Sequence, residues 1–356
     1  MRLWAFGCAL TWLCVAAHAS ESFAWHLPRG FPIPAVPADN PMSEAKVALG
    51  RRLFFETRLS VTGQASCASC HEPIRAFSDG RRVAIGATGQ MLTHGAMPLA
   101  NVAYNISFGW TQPALRSLEA QMLGPLLNEH PVELGLAGRE DATCRDLSAD
   151  QTYRAAFIAA FPQEGGSITL EHIVKAIASF ERTLISGDSP FDRYVFGGDH
   201  AALSAEAKRG MALFYSVRSG CGSCHSGFNF DGNWRDAQGE TGRPGFAVNG
   251  TSQTPTRVPT LRNIALTAPY MHDGRFATLD AVLEHYSEMA SRLRSGTDRS
   301  SPHTGRTTRG TRRLDSRLRG FDLSPDERSD LIAFLRSLSD DAFVNRYAAA
   351  NHAAVP

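Results

Sequence analysis

The sequence predicts a mainly α-helical protein built from two domains. Apolar residues recur at helical spacing in several segments, among them the stretch from Leu170 to Leu184. The pattern Cys-x-x-Cys-His occurs twice, 154 positions apart. A chain of 356 residues is too long for one small core, so each copy of this pattern is expected in a domain of its own.

The repeated pattern is the one that attaches a c-type haem covalently to a protein. Its two thiols add across the vinyl groups of the haem, and the histidine that follows reaches the iron as the proximal ligand. A single Cys-x-x-Cys also occurs in redox dithiols and in zinc sites, but neither needs an adjacent histidine twice over. Two covalent haems are therefore expected, at Cys67, Cys70 and His71, and at Cys221, Cys224 and His225.

Residues 1–19 have the form of a secretory signal, with a charged start, an apolar run and the exit Ala17-His18-Ala19. Residues 20–40 are rich in proline and are expected to form an extended arm with Trp25 as its anchor. No later window offers the twenty or so apolar residues that a membrane helix needs. An exported, periplasmic protein without a membrane span is expected.

The rest of the chain is expected to form one haem domain over residues 41–190 and a second over residues 191–345. A glycine-containing stretch, 187–200, is expected to be the hinge between them. The second domain carries a flexible basic loop, 291–320. The whole chain has 36 basic and 35 acidic residues, which argues against a nucleic-acid-binding protein.

Helices are expected on both sides of each haem motif. The first begins at Asn40 or Ser43 and leads into the first motif, and a second ends at Gly124-Pro125. Further helices are expected over 146–161, 169–185, 204–214, 277–289 and 325–338. Apart from the haem motif, no internal repeat is visible.

The coordination of each iron decides what its haem can do. A haem with both axial positions filled passes electrons, whereas one with an open position binds peroxide. Near the first haem, His94 is the available imidazole, Glu133 can move a proton between the oxygens of peroxide, and Gln121 can hold one of them. The residues able to bind the second iron are Met271, His272, His285, Tyr286 and Met289.

Several sequence blocks resemble those of the bacterial dihaem cytochrome c peroxidase and MauG family. They are Leu49–Phe54, Gln121-x-x-Gly124-Pro125 with Glu133, Pro259–Asn263 and Ala268–Gly274. The resemblance implies two cytochrome c-like helical domains, each with one covalent c-type haem. It also implies that the first haem is the peroxide site and that the second transfers electrons.

The resemblance assigns the pocket over the first haem to Gln121, Pro125 and Glu133. Two extra residues, Glu129 and His130, lengthen the family spacing before Glu133, and His130 is able to contribute. Glu133 is expected to be the catalytic acid, although its spacing departs from that of the family.

The resemblance assigns Tyr286 as the axial ligand of the second haem opposite His225. At this position, peroxidases of the family have methionine and MauG has tyrosine. A phenolate favours oxidised iron, whereas a thioether favours Fe(II). The alternative is a core tyrosine with Met271 or Met289 as the ligand. Trp110 matches the tryptophan that lies between the haems and relays oxidising equivalents, although Thr111-Gln112-Pro113 replaces the usual Asp-Gly-Arg.

The family also has a calcium ion between the haems. The resemblance assigns main-chain oxygens of Thr267 and Pro269 to it, and Asn101 is a candidate for the side-chain ligand. MauG has a surface tryptophan just before its second haem motif that has no equivalent here. Tyr215 and Trp234 are the candidate substitutes.

These features favour a MauG-type enzyme, which uses hydrogen peroxide to form a high-valent dihaem state and oxidises an aromatic residue of a secreted partner. The arm from Phe23 to Pro32 and the stretch Asn101–Asn105 are similar to the MbnH branch, which implies a copper-binding partner whose tryptophan becomes kynurenine. One alternative is a peroxidase that reduces peroxide to water with electrons from a small cytochrome c. Another is a dihaem electron carrier without catalysis.

Overall fold

The computed structural model describes residues 23–232, 246–247, 256–294 and 320–351. The predicted signal peptide, Trp234 and most of the predicted basic loop lie outside these residues. In the described part of the chain, no helix is both long and apolar enough to span a membrane.

The described residues form ten α-helices and one small sheet, which confirms the mainly α prediction. The helices are α1 Glu44–Phe54, α2 Leu118–Leu127, α3 Glu140–Ala149, α4 Gln151–Ala160, α5 Leu170–Arg182, α6 Pro190–Val195, α7 Ala205–Phe214, α8 Leu279–Arg294, α9 Pro325–Arg336 and α10 Asp341–Asn351. The sheet pairs β1 Phe246–Ala247 with β2 Thr256–Arg257 in antiparallel register.

Hydroxyl side chains start most of the long helices. Ser43 accepts a hydrogen bond from the Lys46 amide, so Ser43 and not Asn40 caps α1. Asn40 is instead buried, and its amide donates to Glu119. The caps at Ser204 and Ser324 form as the sequence predicts, the second with the full capping box.

Two sequence-based helix boundaries were wrong, and the stretch predicted to be a hinge contains a helix. Helix α2 does not end at Pro125 but continues to Leu127, because a proline near the end of a helix removes only one hydrogen bond. The stretch 146–161 is two helices, since Asp150 ends α3 and its side chain caps α4. The stretch 187–200 contains α6, whose Ser189–Asp192 capping box is buried.

Two hydrophobic cores have the same construction. In the first, α1 crosses α5 at Gly50, where a methyl group would lie 1.9 Å from the Ala176 carbonyl oxygen. In the second, α7 crosses α9 at Gly210, where the same distance to the Asp330 carbonyl oxygen is 1.9 Å. The sequence pattern shows no repeat beyond the haem motif, but the packing shows that the repeat extends to whole helix pairs.

The repeat also extends to the loop that follows each haem motif. Asn101 and Asn263 both adopt positive φ, at 61° and 60°, and both are fully buried. The backbone N–H of Asn101 donates to the Leu184 carbonyl oxygen, just after α5. The backbone N–H of Asn263 donates to the Leu338 carbonyl oxygen, just after α9. Each asparagine therefore ties its loop to the end of the last helix of its own core.

The two cores are joined by buried polar contacts and by α10. The Asp340 carboxylate accepts hydrogen bonds from Ser186, Gly187 and Asp188, in the segment predicted to be a hinge. Helix α10 then returns to the first core, where Phe343 is buried. These contacts tie the start of the predicted hinge to the residue before α10.

The N-terminal arm is held by Phe31 and not by the predicted Trp25. Phe31 is buried and packs on Tyr104, Phe228 and the Arg262 guanidinium, 4.8 Å from its ring centroid. Trp25 stays half-exposed and contacts the ring of Phe23. The arm is therefore anchored at the junction of the two cores.

Candidate functional site

Both Cys-x-x-Cys-His motifs begin with a single turn of 3₁₀ helix, Cys67–Ser69 and Cys221–Ser223. This turn brings the two thiols of each pair and the following histidine to one side of the chain. Cys67, Cys70, Cys221 and Cys224 form no disulfide bond in the described part of the chain, so both pairs are available for attachment to haem.

Each motif histidine is oriented by a phenylalanine carbonyl. The His71 Nδ1 atom lies 2.9 Å from the Phe77 oxygen, and the His225 Nδ1 atom lies 2.9 Å from the Phe230 oxygen. A carbonyl only accepts, so Nδ1 carries the proton and Nε2 is the nitrogen left for a metal. Both phenylalanines have positive φ, an uncommon conformation that aims these carbonyls at the rings.

Burial lowers the pKa of both motif histidines, which keeps the imidazoles neutral, the form that binds iron. Beside the second motif lies an apolar cavity of about 170 Å³. A single water needs only about 10–15 Å³, so this space is suited to a large apolar group. Cys221, Cys224 and His225 all line it, and these donors together fit a covalently attached haem.

Four of the five residues predicted as ligands of the second iron line this cavity: Met271, His272, Tyr286 and Met289. His285 is not part of the described wall, and its ring packs against Phe276 at 5.0 Å. Tyr286 is half-buried on α8, and Met289 follows it on the same helix. One oxygen donor, one imidazole and two thioether donors thus line the same space.

The insertion before Glu133 forms a tight turn. Glu129 pairs with Val132 across this turn, and His130 is exposed to solvent at its tip. The Leu134 amide then donates to the Pro125 carbonyl oxygen at 2.8 Å. The two extra residues therefore project outward, and Glu133 returns to the side of Pro125.

The surroundings of Glu133 place it close to the first haem motif. Its carbonyl oxygen accepts a hydrogen bond from the Ala87 amide, in the loop whose Ile85 carbonyl contacts the Cys70 thiol. Burial raises the pKa of Glu133, and the Asn128 amide opposes that rise. Gln121 lies one helical turn before Pro125 on the same face of α2.

Sequence reasoning missed two residues near Glu133. Asn128 interacts with its carboxyl group, and the Gln90 side-chain oxygen accepts a hydrogen bond from the Val132 amide at 3.0 Å. For Asn128, the only signal in the sequence was its position next to the insertion. Nothing in the sequence indicates that the loop containing Gln90 crosses the turn before Glu133.

Trp110 lies between two cavities and lines both of them. Its indole Nε1 donates to the Gly95 carbonyl at 2.8 Å, and its own carbonyl accepts from the Arg257 amide at 2.8 Å. The His272 ring lies 6.4 Å away. His94, considered as an iron ligand, packs instead against His272 at 5.4 Å where the two cores meet.

The second cavity, of about 60 Å³, is more polar and lies between the cores. Thr267 and Pro269, the predicted calcium residues, line it together with Asp79. Asp79 is buried, and its Oδ2 atom has no hydrogen-bond partner in the described part of the structure. The side-chain amide of Asn101 is already engaged with Ser186. It donates to the Ser186 carbonyl oxygen and accepts a hydrogen bond from the Ser186 N–H.

Tyr215 is the one exposed aromatic side chain within the described ranges, with half of its surface in solvent. Its ring covers the backbone of the second haem motif, where a methyl group on Gly222 would lie 2.8 Å from Tyr215 Cδ1. Trp234, the other candidate from the sequence, lies outside the described residues.

Residues 44–200 match a family model described as di-haem cytochrome c peroxidase. The chain is 37% identical to the methylamine utilization protein MauG of Methylorubrum extorquens, over 85% of this chain and 80% of that protein. It is 31% identical to cytochrome c551 peroxidase of Pseudomonas aeruginosa, over 84% of this chain and 80% of that protein.

The fold is similar to the crystal structure of a MauG-like protein associated with microbial copper homeostasis. The TM-score is 0.79 and the sequences are 36% identical, over 90% of this chain and 97% of that one. The likeness thus covers both cores and both haem motifs.

Proposed function

This chain belongs to the family of dihaem cytochrome c peroxidases and MauG, and from that premise we propose that it uses hydrogen peroxide to oxidise an aromatic side chain of a secreted partner protein. Family membership makes it a haem-dependent oxidoreductase with two haem groups. The partner reaction and the residues assigned to it are the proposal.

The observation that carries the proposal is the presence of Tyr286 in the wall of the cavity beside His225. An anionic oxygen ligand stabilises oxidised iron over Fe(II), which suits a centre that stores the oxidising equivalents left by peroxide until the partner supplies electrons. A thioether ligand would favour the opposite direction. In this proposal, a Tyr286 ligand on the second iron is the feature that favours protein oxidation over simple removal of peroxide.

The protein side chains have defined tasks in this reaction. When bound, the haems supply the electron transfer, in which peroxide takes up two electrons and two protons and leaves as two waters. Glu133 moves a proton from one peroxide oxygen to the other, and Gln121 holds the peroxide by its amide. Trp110 relays electrons between the two sites, since it lines the cavity beside the second motif and its indole N–H donates to Gly95, in the loop that follows the first motif.

Trp110 is suited to relay electrons without losing a proton. Its N–H group donates to a backbone carbonyl, which is too weak a base to take that proton from it. The positive charge formed on the ring is then neutralised by the arrival of an electron from the partner.

A partner that binds copper is part of the proposal, supported by the similarity to the MauG-like protein associated with copper homeostasis. A tryptophan of that partner is the residue proposed to be oxidised, with kynurenine as the product. Two molecules of peroxide take up the four electrons and four protons that the tryptophan loses, water supplies the added oxygen, and one ring carbon leaves as formate. A periplasmic location is also proposed, because residues 1–19 have the pattern of an export signal.

The test is the intact mass of a secreted protein encoded next to this enzyme, co-expressed with the wild-type enzyme or with Glu133→Gln. We expect a mass increase on one tryptophan-containing peptide that requires the wild-type enzyme. An unmodified partner, together with rapid peroxide-dependent oxidation of reduced cytochrome c, would reject protein oxidation.

Plain peroxidase activity is the second candidate, and the two methionines in the same cavity favour it. Met271 and Met289 line the wall with Tyr286, and either thioether would give an electron-accepting haem of the peroxidase type. Tyr286→Phe separates the two, with Met289→Leu as the matched control. We expect loss of the low-spin ferric EPR signal only in Tyr286→Phe, whereas loss only in Met289→Leu would favour the peroxidase.

A calcium ion in the polar cavity between the cores belongs to the same proposal, with Asp79 replacing Asn101 as the side-chain ligand. A buried carboxylate oxygen without a partner suits a hard cation, and the main-chain oxygens of Thr267 and Pro269 add neutral donors. We expect calorimetry of the chelator-treated haem protein to show one calcium bound, and Asp79→Ala to abolish that binding. Unchanged binding by Asp79→Ala would exclude this assignment.

A further inference from the structure

Arg257 is a buried cation with one donor atom that the described protein leaves unsatisfied. It is 5% exposed, and its Nε atom is buried without a hydrogen-bond partner in the described part of the structure. The carboxylate paired with it, Asp231, is fully buried, at 3.8 Å from the guanidinium. That ion pair is made through an Nη atom, so the Nε donor is left for another acceptor.

The open donor belongs to the wall of the cavity beside the second haem motif. Arg257 ends β2 and lines this cavity, and among the described lining residues it is the only arginine, lysine or carboxylate. Leaving a buried charged donor without an acceptor is costly in a protein. An acceptor on the group that fills the cavity would satisfy this donor, and a carboxylate is the acceptor that suits a guanidinium best.

The chemistry of the attached group supplies that anion. A c-type haem carries its two propionates on the edge opposite the vinyl groups, and Cys221 and Cys224 fix the vinyl edge. The propionates need a cationic partner elsewhere on the wall, and Arg257 is the one that the described wall offers. A planar guanidinium matches a carboxylate better than any other side chain.

We propose that Arg257 binds a propionate of the second haem, holds that edge against Trp110 and raises the midpoint potential of this haem. The link to Trp110 is direct, because the Arg257 amide donates to the Trp110 carbonyl oxygen at 2.8 Å. A fixed positive charge beside the macrocycle stabilises the ferrous form over the ferric form. Arg257 is thus a positioning residue that acts on both the orientation and the potential of the haem.

Asp231 has the opposite effect on the same potential. The Asn229 amide donates to its Oδ2 atom at 3.0 Å, which favours the ionised carboxylate. Its negative charge offsets part of the guanidinium charge felt by the haem. The balance between these two buried groups sets how strongly the second haem withdraws electrons.

The experiment is spectroelectrochemical titration of the second haem in the full holoprotein. We expect Arg257→Gln to lower the midpoint potential, raising the ferric to ferrous ratio roughly tenfold at a fixed applied potential. Arg257→Lys should stay near the wild-type value, and Asp231→Asn should shift the potential upward. Arg209→Gln is the matched control, because Arg209 is 59% exposed on α7 and pairs with Asp330.

Resonance Raman of the propionate bending mode gives an independent reading, and we expect this band to move in Arg257→Gln and not in Arg209→Gln. An unmoved band, or equal potentials for these two variants, would overturn the inference. If Arg257→Gln yields no holoprotein, the midpoint potential of Asp231→Asn tests the inference instead. A potential that does not rise in Asp231→Asn would also overturn it. The inference rests on the second haem and not on the partner reaction, so its failure leaves the partner assay unaffected.

Discussion

At the scale of single residues, Glu133 reaches the first site because the insertion before it folds into a turn and the Leu134 amide bonds to Pro125. We expect Glu133→Gln to lower the rate at which ferric protein reacts with peroxide by about 10²–10⁴-fold, because an amide cannot accept the proton of peroxide. Stopped-flow absorbance measures this rate. Glu129→Gln is the control, since Glu129 is exposed in the turn. Equal rates for the two variants would remove Glu133 from the mechanism.

The pH dependence of the same reaction follows from the environment of Glu133. Burial raises its pKa above the ordinary 4.5, and Asn128 opposes the rise. The carboxylate must be unprotonated to accept a proton, so activity is present above the pKa and falls as the pH drops through it. Asn128→Ala removes the opposing interaction and should move the acid limb to higher pH. An acid limb that moves to lower pH, or stays in place, would show that Asn128 does not act on Glu133.

At the scale of secondary structure elements, each haem core depends on one close helix crossing. A methyl group at Gly50 would lie 1.9 Å from a backbone oxygen of α5, so Gly50→Ala must push the helices apart. We expect a loss of about 1–3 kcal/mol in the free energy of unfolding. Gly124→Ala adds the same methyl to α2 in ordinary contact, with its nearest neighbour 3.6 Å away, and should not destabilise the protein. Equal denaturation curves for both variants would show that the crossing tolerates a side chain.

Helix α10 supports the first haem site from the far end of the sequence. Phe343 packs on Phe77, with ring centroids 5.9 Å apart, and the Phe77 carbonyl orients His71. Phe343→Ala should cost about 3–5 kcal/mol and broaden the ferric spectrum of the first haem. Asn345→Ala, at an exposed position of the same helix, should change neither. A destabilised variant with an unaltered haem spectrum would limit α10 to a role in stability.

At the scale of the whole molecule, Asp340 couples the two cores. Its carboxylate accepts hydrogen bonds from the segment between the cores and from the Phe343 amide. Asp340→Asn replaces one carboxylate oxygen, an acceptor, by an NH₂ group, which donates. It should lower the free energy of unfolding by about 3 kcal/mol, because buried N–H groups lose their acceptor. We expect calorimetry to show two separate transitions where the wild type shows one. Asp341→Asn is the neighbouring control, since Asp341 is exposed. A single transition in both variants would show that other contacts couple the cores.

The amino-acid sequence by itself determined the chemistry that is local in the chain. The predicted haem attachment residues form a readable pattern because each set spans five positions, and a thiol pair followed by imidazole serves few other purposes. Helix caps at Ser204 and Ser324 are readable for the same reason, since a cap involves residues three apart. The family blocks likewise lie in short continuous stretches.

Only the tertiary structure decided what depends on distant segments meeting. Glu133 returns to Pro125, α10 docks on the first core, and Phe31 rather than Trp25 anchors the N-terminal arm. Each of these depends on contacts that no local pattern encodes. The unpaired Nε of Arg257 and the unpaired Oδ2 of Asp79 are visible only once burial is known. The physical reason is that a polar group is costly or useful according to whether water and partners can reach it. Which residues surround it is settled by packing and not by sequence spacing.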